Sequence, residues 1–389
     1  MKIVIINEFV KMGGAEIQTF RERDLFLANG HSVTVLTFDC SFPACESKEW
    51  INIPIKIENK AKRWVDKLWG LKAVQQQIAS VLSKIDPDFI HINGVFCAPL
   101  DVMECVKKYK AIQTIRDYAA VCPYGTCTNE RDEECKGIAN TNCFECGRFN
   151  IRCFYNYLSL KALNKKRREY LDAIITPSQA LAQKCWENGL YAKCINNPFD
   201  FSKIRYIGPK ISVGTKKYLY YGLISENKGI KQLTSAFETF AERCDVELIL
   251  VGKVYAQFQE QFDIIKNRKH ITYLGQKEYD EIMNLYQNIY CVVVPSLWIE
   301  NYPNTVLEAL ANKTLVIGSN RGGIPEMIQD ERMVFDILDK GDIISKLEYT
   351  YTMSDEEYKE TTENNYKRVF ENNTPEKYYD RMMLLIKNI

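Results

Sequence analysis

The chain has no apolar run approaching the roughly 20 residues that a membrane-spanning helix requires, so none of it reads as a membrane span. Charge of one sign is also missing. Fifty-one lysines and arginines face 50 aspartates and glutamates, a formal charge of +1. That balance argues against nucleic acid as a partner and leaves any membrane attraction to local basic patches. The opening Met1-Lys-Ile-Val-Ile-Ile is too short for a signal-peptide core and runs into a Gly-Gly loop with no small-residue cleavage pattern. A cytoplasmic protein is expected, with peripheral contact at the inner face of the membrane the one membrane role left open. No G-x-G-x-x-G follows the first apolar strand, which excludes the usual dinucleotide fingerprint. No Asp-x-Asp pair stands at the carboxyl end of a strand, so no catalytic metal is demanded. Internal repeats and low-complexity segments are absent as well.

What is present is a globular composition, 46% hydrophobic and 26% charged over 389 residues, too long for one ordinary core and suited to two α/β domains. Residues 2–7 are nearly all Ile and Val and read as a buried parallel strand. Met12-Gly13-Gly14-Ala15-Glu16 follows, then a helix over residues 15–29 carrying Ile17, Phe20, Leu25 and Leu27 and closed by Gly30. Further strands fall at residues 33–37, 88–93, 111–115 and 173–178, and residues 194–200 form the exit of this first domain. His91 reads as a satisfied core imidazole. A second set of strands at residues 217–222, 246–252, 271–275, 290–294 and 314–318 alternates with helices, the pattern of parallel right-handed crossovers. The expected division is 1–205 and 206–370, with a hinge at 207–217 and a terminal helix over 371–389 packing back across the domains.

Two segments concentrate positive charge. Residues 60–84 mix Lys60, Lys62, Arg63, Lys67 and Lys72 with Trp64, Val65, Leu68, Trp69 and Leu71, either a membrane-surface helix or one packing its Trp face on the domain. Residues 158–170 carry Lys161, Lys165, Lys166, Arg167 and Arg168 and read as solvated helix surface.

The stretch that organises the rest is Pro295-Ser-Leu-Trp-Ile-Glu300-Asn-Tyr-Pro-Asn-Thr-Val-Leu-Glu308. It follows the strand at 290–294, Pro303 stands at the expected first helical position, and residues 305–312 carry the helical spacing. A loop feeding a helix N-terminus at the carboxyl end of a parallel strand presents amides and a positive dipole end, a place for phosphates. Glu300 then lies in the loop and Glu308 in the helix. Lys228, just past a strand end and before Gly229, is an apt counter-charge for a diphosphate leaving group.

This run, with the following Arg321-Gly-Gly-Ile-Pro-Glu326, resembles the donor-site signature of the retaining glycosyltransferases of family 4: two glutamates separated by seven residues, then Gly-Gly-x-Pro-Glu. The resemblance implies the GT-B fold, two Rossmann-like doubly wound domains facing across a cleft. It further implies sugar transfer with retention from a UDP- or GDP-sugar to a glycan or lipid-linked oligosaccharide, as in cell-surface polysaccharide synthesis. Glu300 would hold the transferred sugar and Glu308 the ribose. Asn301, Tyr302, Asn304 and Thr305 would line the donor loop and helix tip, and Gly13 and Gly14 would touch the donor phosphate through their backbone. Arg116 and Asp117 stand where the family commonly has His-Asp, and Gly222-Leu223 where it commonly has Gly-Arg. The second departure removes one of two cations from the leaving-group site, which keeps an alternative in view: a weakly active or inactive donor-binding subunit supporting a partner transferase.

Six of the 14 cysteines crowd into a polar insertion at about 122–153: Cys122, Cys127, Cys135, Cys143, Cys146 and Cys153. In a reducing compartment, with few apolar residues to order the segment, a thiolate zinc site would supply the missing constraint. Cys143-x-x-Cys146 has half-site spacing; the other half is open among Cys122, Cys127 and Cys135. The region also resembles a family 4 subgroup with a Cys-rich insertion in the N-terminal domain, which implies Cys122, Cys135, Cys143 and Cys146 as the structural zinc ligands.

Overall fold

The computed structural model describes residues 1–10, 13–55, 70–95, 98–135, 143, 146–148, 150–204 and 214–389. Two compact units emerge: Met1–Asn197 together with Tyr378–Ile389, and Pro198–Lys377. The boundary falls at Asn197, before the expected 205. Of the expected hinge at 207–217, residues 207–213 lie outside the described residues.

The first unit begins with β1 (Lys2–Ile6), α1 (Gly14–Ala28), β2 (Ser32–Thr37), and the short β3 (Cys45–Glu46) and β4 (Trp50–Asn52). It continues with α2 (Lys72–Ile85), β5 (Phe89–Ile92), α3 (Pro99–Val106) and β6 (Ala111–Thr114). It closes with α4 (Ile151–Tyr170), β7 (Ala173–Thr176), α5 (Gln179–Glu187) and β8 (Ala192–Cys194). The sheet runs β3-β4-β2-β1-β5-β6-β7-β8, parallel apart from the β3–β4 pair. Both faces are covered, so the strands are apolar throughout: Val4, Ile6, Ile90 and Ile92 pack on Ile78, Leu82 and Val102 on one side. Ile3, Ile5, Phe89 and Ile112 pack on Phe26 on the other. The order reverses between β1 and β5, and ligands bind such sheets outside the carboxyl ends of the strands at that switch.

Helix α1 departs from its apolar spacing. Ile17 is exposed, whereas Gln18, Thr19, Glu22 and Phe26 are buried. A helix whose inward face is polar hides from a search for apolar periodicity, and the reason is a buried charge network described below. The basic segment at 60–84 is described only from Gly70; α2 begins at Lys72, and residues 60–69 lie outside the described residues. In α4 the basic face is not all solvated: Arg167 is buried. Among the described residues no helix is long and apolar enough to cross a membrane.

The second unit comprises β9 (Lys216–Tyr221), α6 (Ile230–Ala241), β10 (Val246–Val251), α7 (Gln259–Ile265), β11 (Ile271–Tyr273) and α8 (Tyr279–Leu285). Then come β12 (Cys291–Val294), α9 (Asn304–Ala311), β13 (Leu315–Ser319), α10 (Ile324–Ile328), β14 (Val334–Phe335), α11 (Lys340–Thr352) and α12 (Asp355–Asn372). The all-parallel sheet is ordered β11-β10-β9-β12-β13-β14, with its switch between β9 and β12. The loops after those two strands carry Lys228 and Glu300. The final helix α13 (Pro375–Lys387) buries Tyr378, Met382, Leu385 and Ile386 against Ile3, Ile5 and Phe26, so the end of the chain completes the first unit.

The second sheet tolerates one close approach that only glycine permits. Gly252, past β10, has φ +144°, and a Cβ there would sit 1.7 Å from the Gly222 carbonyl oxygen. Gly252→Ala is expected to destabilise the unit by about 2–4 kcal/mol, from backbone strain and a clash with main chain, read as a lower melting temperature with unchanged secondary structure at 25 °C.

Candidate functional site

In the second unit the loops after β9 and β12 are sewn together by main chain. The amides of Leu297 and Trp298 both donate to the Asn227 carbonyl, each at 3.0 Å. Gly229 has φ +69°, and a Cβ on it would lie 1.7 Å from the Pro295 carbonyl oxygen, so glycine is required for the two loops to meet. That contact brings Lys228 to Glu300, 72 residues away in the chain, as an ion pair. Ser296 Oγ donates to Glu300 Oε1 at 2.9 Å, holding the carboxylate, and the Gly323 amide donates to the Glu300 main-chain carbonyl at 2.8 Å, tying that backbone to the Gly322-Gly323 loop. The charge of Glu300 and burial together push the neighbouring Tyr220 phenol up, burial being the larger cause, so it remains a donor.

Helix α9 starts at Asn304, one residue after the expected position, with Pro303 as its N-cap. Its positive dipole end therefore opens at the same loop, with Asn304 and Thr305 in the first turn. One turn further, Glu308 is buried, and Tyr221 donates to its Oε2 at 2.5 Å while sharing a hydrogen bond with Tyr286 at 2.8 Å. Burial and the Glu308 charge raise both phenols well above their ordinary value. Asn301, Tyr302, Asn304 and Thr305 are all half-buried. Tyr302 is tied back into the fold, its hydroxyl accepting from Asn373 Nδ2 at 2.9 Å. Leu223 is exposed and adds no second cation. Tyr221, Ser296 and Asn227 were not singled out in the sequence, because their partners lie far along the chain and no local spacing marks them.

In the first unit Gly13 caps α1, and its amide donates to Glu16 of the same helix at 2.8 Å; Gly14 is the first helical residue. Gly13 is therefore engaged by its own helix, and its φ of −164° is extended backbone open to any residue. Arg116 follows β6 and donates from Nε to Asn93 at 2.9 Å and from Nη1 to Asn197 at 3.1 Å. Its Nη2 lies 4.0 Å from Glu22. Glu22 is the hub that makes α1 polar inside: Oε1 lies 2.6 Å from His91 Nδ1 and accepts from the Tyr378 hydroxyl at 3.0 Å. His91 Nε2 meets Thr114 Oγ1 at 2.6 Å, so the imidazole is a satisfied core group. Asp117 caps a turn through the Ala119 amide at 2.9 Å, and burial raises its pKa against the pull of that bond and of Arg167. Buried Arg167 is pushed down to about 10 by desolvation, with Cys185 and Asp117 opposing; it donates to Gln113 and Asn164.

The structural zinc expected at Cys122, Cys135, Cys143 and Cys146 is not shown: among the described residues no group of three or more His, Cys, Asp or Glu is gathered to hold a metal. Residues 136–142, 144, 145 and 149 lie outside the described residues. The described part of the insertion is ordered by ordinary means: the Cys135 amide bonds the Cys127 carbonyl at 2.8 Å, Thr128 pairs with Glu134, Arg148 bonds Asp132 at 2.6 Å, and Tyr118, Val121 and Cys127 are buried.

Comparison with known proteins follows the same division. Residues 208–368 match the family described as glycosyl transferases group 1. An uncharacterised 42.6 kDa protein in the cps region of Klebsiella pneumoniae is 22% identical over 356 residues, covering 84% of this chain and 87% of that one. A lipopolysaccharide 1,2-N-acetylglucosaminetransferase of Salmonella typhimurium is 32% identical over 122 residues, 29% of this chain and 32% of that enzyme. In structure, the chain is similar over its whole length to Anabaena HepE in complex with UDP and glucose: TM-score 0.71, 14% identity, 100% of both chains covered. That likeness shows the fold, GT-B.

The Glu22 network makes a testable contribution to stability. Desolvation raises the Glu22 pKa, but the charge and contact of His91, with Arg116 and Tyr378, outweigh it and leave the group below its ordinary 4.5. A depressed carboxylate stabilises the fold above its unfolded pKa and loses that contribution as pH falls through the folded value. Glu22→Gln is therefore expected to lower stability at neutral pH by about 3 kcal/mol, as breaking a buried pair does, with the gap to wild type narrowing once pH falls below about 4.5 in denaturant titrations.

Proposed function

We propose that the protein is a group 1 glycosyltransferase that uses a nucleotide sugar, transferring a hexosyl residue with retention from a UDP- or GDP-sugar to a glycan or lipid-linked acceptor in cell-surface polysaccharide synthesis. The observation that carries this reading is the Lys228–Glu300 pair, held by Ser296 beside the N-terminus of α9. A cation and a helix tip at one point suit a diphosphate, and a carboxylate beside them suits the hydroxyls of the sugar attached to it. Lys228 neutralises charge on the departing diphosphate, with the α9 amides at Asn304 and Thr305 beside it. Glu300 orients the sugar. Glu308, set one turn back and held by Tyr221, faces the ribose hydroxyls. Arg116 and Asp117 of the first unit act on the sugar side in place of the family's His-Asp, with Gly14 at the donor phosphate, the Gly13 amide being taken by Glu16. UDP in the Anabaena HepE complex and the cps-region relative support a UDP-sugar and a capsule-type product.

In the reaction so proposed, the acceptor hydroxyl attacks the anomeric carbon on the face the nucleotide leaves. Its proton passes to the departing phosphate oxygen, so the chain itself has no obligatory proton to take up. The residues contribute charge and orientation, which suits a site whose loop carboxylate, Glu300, is already paired with Lys228.

Turnover of UDP-, GDP- and ADP-sugars with lipid-linked and oligosaccharide acceptors tests the reading. Glu300→Ala is expected to cut nucleotide release by about 100-fold, the loss of a charged hydrogen bond of about 3 kcal/mol in the transition state, with nucleotide affinity changed little. Tight nucleotide binding with no release from the wild-type protein under any acceptor would instead favour the supporting-subunit reading, in line with the uncharged Leu223.

A further inference from the structure

The second unit buries a cation that nothing balances. Arg321 follows β13 and directly precedes Gly322-Gly323. It is 4% exposed, its Nε has no hydrogen-bond partner, and among the described residues no carboxylate pairs with it. Arg167, the buried arginine of the first unit, is the satisfied case: it donates to Gln113 and Asn164. A guanidinium cannot escape its burial by losing the proton, so withdrawing it from water without a counter-charge is strongly unfavourable. Such a group calls for an explanation, and an anion that arrives from outside is one that restores the balance.

Main chain fixes Arg321 beside the loop of Glu300. Val294 of β12 pairs with Gly318 of β13, Ser319 Oγ donates to the Ser296 carbonyl at 2.8 Å, and the Gly323 amide donates to the Glu300 carbonyl at 2.8 Å. Arg321 stands between the second and third of these ties. Charge then says what the site lacks. Lys228 brings it one positive charge, and Glu300 and Glu308 bring two negative ones. A nucleotide sugar adds a diphosphate dianion, which those residues taken alone would repel, and Leu223 supplies no cation. With Arg321 the side chains come to balance before the ligand enters. A guanidinium also offers a planar fork of donors that matches two phosphate oxygens at once, which a lysine does not.

We propose that Arg321 is the second cation of the nucleotide-sugar site, donating to the donor's diphosphate and supplying from the loop after β13 the charge that Leu223 leaves out. The identity of the anion rests on the transferase reading. Because the arginine meets the diphosphate both bound and departing, its loss weakens binding of a nucleoside diphosphate and not only turnover. Because the ligand-free protein bears an uncompensated charge there, an apolar side chain of similar length costs that protein no stability.

Calorimetric titration of the full-length protein with UDP, GDP and ADP tests it, with the matching nucleosides followed by saturation-transfer NMR and melting temperatures taken without ligand. For whichever diphosphate the wild-type protein binds, Arg321→Met is expected to weaken binding by about tenfold or more, the loss of a charge-assisted hydrogen bond. Arg321→Lys, which keeps the charge and loses the fork, is expected to weaken it by less. Nucleoside binding is expected to change by about twofold at most in both, and ligand-free Arg321→Met to melt no lower than wild type. Diphosphate affinity unchanged in Arg321→Met, or diphosphate and nucleoside weakened alike with a lowered melting temperature, would overturn the assignment and leave the transferase reading standing. A wild-type protein that binds none of the three diphosphates would overturn that reading itself, and the role of Arg321 with it.

Discussion

Everything the second unit offers a ligand depends on two loops from adjacent strands being forced into main-chain contact. The carbonyl of Asn227 takes two amides from the loop after β12, and Gly229 lies so close to the Pro295 carbonyl that no side chain can intervene. Side chains on such loops have little freedom to drift, and preorganised charge is worth most where it need not be rearranged during reaction. Lys228 and Glu300 meet because of that backbone constraint. Their own attraction, between partly exposed groups, would hold them only weakly.

The first unit spends its polar residues differently. Glu22, His91, Arg116, Asn93 and Tyr378 come from α1, two strand ends and the last helix, and they form one connected network under the switch point of the sheet. A buried carboxylate is tolerated there because a histidine, a tyrosine and an arginine surround it; remove one and a desolvated charge remains. The last helix thereby does more than cover apolar surface, since its Tyr378 hydroxyl is one of the groups that keeps Glu22 in place. Arg116 inherits its orientation from this arrangement.

Much of the architecture was readable from short apolar runs, because a parallel sheet covered on both faces demands strands of unbroken Ile, Val and Leu. The run at 291–294 and the helix that follows Pro303 are visible in this way, and the two glutamates take their significance from standing on either side of that helix start. Helix α1 was harder: its inward face is Gln18, Thr19 and Glu22, and apolar spacing pointed to the exposed Ile17 instead. The structural zinc is likewise not shown among the described residues. Six cysteines in a polar segment suggested a metal, yet backbone pairing and ion pairs order its described part.

By itself the sequence determined the alternation of strands and helices, the loop-to-helix position of Glu300 and Glu308, and the glycines that permit close turns, since these depend on neighbours a few residues apart. Tertiary structure alone decided that Lys228 reaches Glu300, that Tyr221 holds Glu308, that Gly13 is spent on its own helix, and that Arg321 is buried with no carboxylate paired to it among the described residues. Each of these depends on which groups meet across a sheet, and on how much water is left between them, and no local pattern of residues encodes either.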